Sequence, residues 1–177
     1  MQKTLDKPGK VCYTIIRKGK EVLNMKTARA IYFDMDGTIA NFYGVEGWLD
    51  YLKASNPFPY ATAKPLHNMN ALARRLNNLR KNGWKIGVVS WLAKNSNAEF
   101  DEKVIEAKKR WLRKHLASVE FDEIHIVPYG TPKSTVPEIK NAILFDDEEN
   151  NLIEWEENGG WAFTPDNITE TLAWAKG

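Results

Sequence analysis

The sequence predicts an α/β fold: a central parallel sheet flanked by helices, in a single domain. Three observations carry this. Short apolar runs without polar alternation recur along the chain, as expected of parallel strands covered on both faces. Stretches with helical spacing separate them. The length, 177 residues, suits one domain with a real core but not two full ones. Hydrophobic residues make up 43% and charged residues 27%, which argues against disorder. Lys plus Arg (25) against Asp plus Glu (23) leaves +2, a balance that neither demands nor excludes nucleic acid or a small anion. The one cysteine, Cys12, excludes an intrachain disulfide and a Cys-rich zinc site. No run approaches the roughly 18 apolar residues of a membrane helix. Charged residues interrupt the first 30 residues throughout, so no signal core is expected there and the default setting is cytoplasmic.

The elements follow in chain order. Residues 1–28 form an N-terminal extension rich in lysine. Its runs Val11 to Ile16 and Glu21 to Met25, around Arg17-Lys18-Gly19-Lys20, read either as a β-hairpin or as a loose basic arm. Ala30-Ile31-Tyr32-Phe33 is the first buried strand. Leu66 to Asn82 carries Met69, Leu72, Ala73, Leu76 and Leu79 at helical spacing, with Gly83 as its stop. Lys85 to Val89 is the second strand. Ser96 and Glu99 form a capping box for a long helix reaching about Leu116, with Phe100, Val104, Ala107 and Trp111 as its inner stripe. Lys108-Lys109-Arg110, with Arg113 and Lys114, reads as the solvated basic outer face of that helix, with nucleic-acid contact as the secondary reading. Ile124 to Val127, Ala142 to Phe145 and Trp161 to Phe163 are further strands. Asp166 caps a final helix containing Ile168 and Leu172.

Polar groups gather at the strand ends, where ligands bind in such sheets. The first strand runs into Asp34-Met35-Asp36-Gly37-Thr38, and Gly37 permits a sharp turn there. The second ends in Ser90, a hydroxyl donor. Lys133 follows the third, and the fourth ends in Asp146-Asp147. Four converging carboxyl groups cannot all stay charged without a cation. Oxygen ligands with no nearby Cys or His suit Mg²⁺. Ser and Lys add donors for an anion, so metal, anion site and carboxylate nucleophile together point to phosphoryl transfer. Gly9-Lys10 lacks the spacing of a P-loop, and His67, His115 and His125 are scattered and read as structural. A phosphorylated receiver domain would carry these acidic motifs in the reverse order.

This ordered set resembles the haloacid dehalogenase-like phosphatase superfamily, over about residues 29 to 165. The resemblance implies a Rossmann-like sheet, with Asp34 as the nucleophile that becomes an aspartyl-phosphate and Asp36 as general acid and then base. It implies that Ser90 and Lys133 hold the phosphoryl oxygens, and that the Trp91 backbone N–H faces them. Mg²⁺ would be held by the Asp34 carboxylate, the Asp36 backbone carbonyl and Asp146, with Asp147 in support. An acid at position 36 fits the phosphatases; the superfamily's transport ATPases have Thr there. Superfamily members commonly carry a cap over the site, and residues 41–65 leave room only for a minimal one. That insert is expected to hold a short helix, Val45 to Ala54, and then a Pro-containing loop, Asn56 to Tyr60. The wording of residues 34–42 is similar to the small deoxyribonucleotidase branch, which usually has a larger cap. The expected substrate is therefore a small phosphorylated molecule, a nucleoside or deoxynucleoside monophosphate, with Phe42, Tyr43 and Tyr60 against the base. Trp48 and Tyr51, three apart on one helix face, read equally well as residues that pin the cap. The alternatives are a polynucleotide 3′-phosphatase and a non-catalytic nucleic-acid-associated protein that keeps the fold.

Overall fold

The computed structural model describes residues 28–138 and 140–175; the hairpin or basic arm expected within residues 11–25 lies outside them. Five strands form a parallel sheet: β1 (Ala30–Phe33), β4 (Lys85–Trp91), β5 (Glu123–Val127), β6 (Ala142–Phe145) and β7 (Trp161–Phe163), in the spatial order β5-β4-β1-β6-β7. β1 lies at the centre, in register with both neighbours: Ile31 faces Ile86 and Ile143, and Phe33 faces Val88 and Phe145. That register brings the residues after β1 and β6 and the last residues of β4 to one edge of the sheet.

Side chains alternate across the sheet with the period of a strand. Ile31, Phe33, Ile86, Val88, Ile143 and Phe145 enter the core layer on one face. Tyr32, Val89 and Leu144 enter a smaller cluster with Trp155 on the other. The first layer is closed by α3 (Met69–Lys81), by the C-terminal half of α4 (Ala98–His115) and by α6 (Ile168–Trp174); the second is closed by α5 (Glu149–Glu157). Between β1 and α3 a two-stranded antiparallel stem, β2 (Ala40–Asn41) with β3 (Lys64–Pro65), holds a small insert. The insert comprises a 3₁₀ turn at Phe42–Gly44, α1 (Trp48–Lys53) and α2 (Phe58–Thr62). The fully buried Trp111 indole on α4 donates to the Ala63 carbonyl at 2.7 Å, which fixes the insert's return strand to the core.

Several local expectations are corrected. The helix of the insert is shorter than Val45 to Ala54. The Pro-containing segment is largely helical, because Pro59 falls in the first turn of α2, where its missing N–H costs nothing. The long helix is capped by Asn97, whose side chain accepts from Phe100 N at 2.9 Å; Ser96 instead donates to Ala93 O at 2.8 Å and to Asp101. Asp166 makes no cap: it sits in a 3₁₀ turn, Pro165–Asn167, that leads directly into α6. Lys108 does not belong to the basic outer face. It is fully buried, on the inner side of α4.

Candidate active site

β1 delivers Asp34 to the edge of the sheet while still hydrogen-bonded to it, its N–H donating to Phe145 O at 2.9 Å. The chain then turns over the Met35 carbonyl, which accepts from Thr38, Ile39 and Ala40 at 3.3, 3.0 and 2.8 Å. Gly37 takes φ of +80°, and a Cβ there would collide with the Asp147 carboxylate, so both backbone and space require glycine. β6 delivers Asp146 beside Asp34. Asp34, Asp146 and Asp147 each offer a carboxylate oxygen, and the three oxygens lie within 4.8 Å of one another. Lys133, buried in a 3₁₀ turn after β5, donates to Asp34 Oδ1 at 2.7 Å and to Asp146 Oδ2 at 2.6 Å. Asn151 on α5, which sequence reasoning missed, adds donors at 3.2 Å to both Asp146 oxygens. Glu148 N–H reaches Asp146 Oδ1 at 3.0 Å.

The electrostatics match an acidic cluster partly out of water. Burial, and then the Asp34 charge, push the Asp146 carboxyl up to about 6 despite Lys133. Burial with the charges of Asp34 and Asp146 lifts Asp147 to about 7. Burial works against the Lys133 ammonium, but the two carboxylates outweigh it and hold its pKa above the ordinary lysine value. A divalent cation among these oxygens would remove the repulsion that raises the carboxyl groups, and an all-oxygen donor set suits Mg²⁺.

Asp36 and Ser90 form a second polar group alongside. The Asp36 carboxylate accepts from Lys108 Nζ at 2.7 Å through Oδ2. The same ammonium donates to Ser90 Oγ at 2.8 Å and to Trp91 O at 2.6 Å. Burial, then the nearby Asp34 charge, keep the Asp36 pKa above the usual carboxylate range even against Lys108. Lys108 had a legible signal: it lies four residues after Val104 and three before Trp111, on the stripe that those residues define.

Above both groups opens a cleft of about 590 Å³. From the insert it is lined by Phe42, Tyr43, Trp48 and Tyr60, and from the sheet side by Trp91 and Tyr129. Phe42 and Tyr60 are buried and pack ring on ring at 4.6 Å, whereas Tyr43 is 55% exposed. Trp91 Nε1 donates to Thr131 O at 2.8 Å; its ring lies 4.9 Å from that of Tyr129 and 5.0 Å from Lys133 Nζ. Of the two doubtful aromatics, Trp48 packs on Phe42 and Tyr43, and Tyr51 on Phe58. The three histidines make ordinary structural contacts: His67 with Thr38 O, His115 with the Trp111 ring and His125 with Glu123.

No family model and no curated protein matches this sequence. Solved structures do share the fold. A protein described as a HAD-like phosphatase, from Mesorhizobium loti, superposes with a TM-score of 0.53 at 15% identity over 84% of this chain and 86% of that one. D,D-heptose 1,7-bisphosphate phosphatase from B. bronchiseptica, complexed with magnesium and phosphate, gives 0.50 at 14% identity over 76% and 78%. The Burkholderia thailandensis enzyme of the same name gives 0.48 at 15% identity over 75% and 74%. By the first two of these, the chain has the haloacid dehalogenase-like fold. Its central parallel sheet flanked by helices is the one anticipated from the sequence. Among the described residues no helix is long and apolar enough to cross a membrane.

Proposed function

We propose that the protein is a Mg²⁺-dependent phosphomonoester hydrolase acting through Asp34, with 29–177 as its catalytic domain and 41–65 as a minimal cap. The observation that carries this reading is the convergence of Asp34, Asp146 and Asp147 around one point, with the buried Lys133 ammonium bonded to two of them. Asp34, Asp146 and Asp147 would hold the metal, with the Asp36 backbone carbonyl as a further ligand. Bound Mg²⁺ supplies charge neutralisation and orients the phosphoryl group.

The residues perform two balanced steps. An Asp34 carboxylate oxygen bonds to phosphorus as the bond to the leaving oxygen breaks, and the Asp36 carboxyl proton passes to that oxygen. Asp36, now ionised, takes a proton from water as the water oxygen bonds to phosphorus and the Asp34–phosphorus bond breaks. Inorganic phosphate and the original Asp34 carboxylate result. Ser90, the Trp91 backbone N–H and Lys133 hold the phosphoryl oxygens. The raised Asp36 pKa supports a carboxyl able to carry the first proton.

For the substrate we take a nucleoside or deoxynucleoside monophosphate in a cytoplasmic setting, supported by the aromatic walls of the cleft. Tyr43 is the exposed ring best placed to stack on a base, with Phe42 and Tyr60 behind it. A polynucleotide 3′-phosphatase is the second reading, favoured by the smallness of the insert and by Lys94, exposed at the rim, its ammonium 5.5 Å from the Tyr129 ring. The test is a panel of nucleoside monophosphates, sugar phosphates and 3′-phosphorylated oligonucleotides, with and without EDTA. The expected result is hydrolysis of the nucleotides, abolished by EDTA. Preference for sugar phosphates or oligonucleotides overturns the nucleotidase assignment, and full activity in EDTA overturns the mechanism.

A further inference from the structure

Two lysines are buried at this site, and their bonding differs in kind. A lysine ammonium has three donors and no acceptor. Lys133 gives two to the carboxylates of Asp34 and Asp146, which leaves a third for a phosphoryl oxygen. Lys108 gives all three, to Asp36 Oδ2, Ser90 Oγ and Trp91 O at 2.7, 2.8 and 2.6 Å. It is 0% exposed, and the Tyr60 ring of the insert lies 5.0 Å from its Nζ. Nothing of Lys108 is left to touch a substrate.

We propose that Lys108 is a positioning residue that fixes Asp36 and Ser90 together in their reactive orientations. The proposal rests on the phosphatase reading above. Ser90 Oγ accepts from Lys108, so its own O–H is turned outward as a donor to the phosphoryl group. Asp36 is anchored through Oδ2, and its Oδ1, without a partner among the described residues, is left to deliver the proton to the leaving oxygen. The third bond, to the Trp91 carbonyl, ties the ammonium to the end of β4. One buried cation on α4 thereby sets the spacing between the proton donor and the phosphoryl-binding hydroxyl, and Tyr60 keeps water from it.

The test exploits leaving-group chemistry. Departure of 2,4-dinitrophenolate needs no proton, whereas departure of an alkoxide does. K108M, D36N and the double variant are assayed against 2,4-dinitrophenyl phosphate and the best alkyl phosphomonoester of the panel. K108M is expected to lose about 10²–10⁴-fold in kcat/KM, which reports the first step alone, on the alkyl substrate, the scale of general acid–base catalysis. On dinitrophenyl phosphate the loss in kcat/KM is about tenfold, the scale of one weakened hydrogen bond to the phosphoryl group. On the alkyl substrate D36N/K108M should be slower than D36N alone by only the roughly tenfold Ser90 share. Circular dichroism checks that the variants fold; should K108M not fold, the double variant, which leaves no unpaired buried charge, and K108Q, which keeps a donor, carry the comparison. Equal losses in kcat/KM on both substrates, or a double variant slower than D36N by the full factor seen in K108M, overturn the role of Lys108 while wild-type turnover leaves the phosphatase reading standing. A wild-type protein inert toward both substrates removes that reading and this inference with it.

Discussion

The floor and the roof of the cleft are built on opposite principles. The floor is polar and closely hydrogen-bonded: Asp34, Ser90, Lys108, Lys133 and Asp146 are all buried, and each has a hydrogen-bond partner. Removing one member there leaves the other unpaired in a poorly solvated place, which is costly. The roof is apolar and half-open. Tyr43 packs edge-on against Phe42 and Trp48, with 55% of its surface still exposed, so its ring can be lost or replaced locally. A fixed floor suits chemistry common to all phosphomonoesters, and an adaptable roof suits the choice among them.

The largest effect that would break this contrast is expected at Asp146. D146N removes a charge from the proposed metal-holding trio and from beside Lys133, and turnover should fall by roughly 10³-fold or more, the scale of losing one preorganised electrostatic group. Steady-state kinetics at saturating Mg²⁺ checks this; activity within about tenfold of wild type would mean the floor is not the reaction centre. An intermediate effect is expected at the roof. Tyr43→Ala should weaken kcat/KM for nucleoside monophosphates by about 5- to 150-fold, the equivalent of one lost base–aromatic stack. The loss should fall in KM, and dinitrophenyl phosphate turnover should change little. A fall in kcat on both substrates would erase the distinction between the two regions.

The smallest effect is a dependence of stability on pH. Asp146 and Asp147 titrate at about 6 and about 7 in the folded protein, above the ~3.9 of an unfolded aspartate. The metal-free folded state therefore binds more protons than the unfolded chain between about pH 4 and pH 7, and stability from these groups falls as pH rises through that window. On the proposed reading Mg²⁺ would bind the ionised cluster and offset the repulsion. The rise in Tm on adding Mg²⁺ should accordingly grow from about pH 5 to about pH 8. A shift that stays flat or shrinks over this range would show that these carboxylates do not hold the ion.

How far the two regions were legible in the sequence also differs. β1, β4 and β6 stood out as uninterrupted apolar runs. Asp34, Asp36, Ser90, Lys133 and Asp146 each follow or end a strand, so their convergence followed from sheet geometry. Lys108 did not, because its neighbours Lys109 and Arg110 make a charged triplet that resembles a solvated face. Only its position among Val104, Ala107 and Trp111 betrays a buried cation, and its partners lie far away in sequence. Asn151 is similarly hidden among the polar residues of α5. In the insert, apolar and aromatic residues with two prolines left the boundaries of short helices open, since packing against α4 rather than local propensity decides them.

The most direct test of the account is to trap the intermediate. D36N lacks the base for the second step but can still accept a phosphoryl group from dinitrophenyl phosphate, which needs no acid. Rapid quench followed by peptide mass spectrometry is predicted to find a phosphoryl group on Asp34, dependent on Mg²⁺ and absent from D34N/D36N. Phosphorylation at another residue, or turnover by D34N at the wild-type rate, would contradict it.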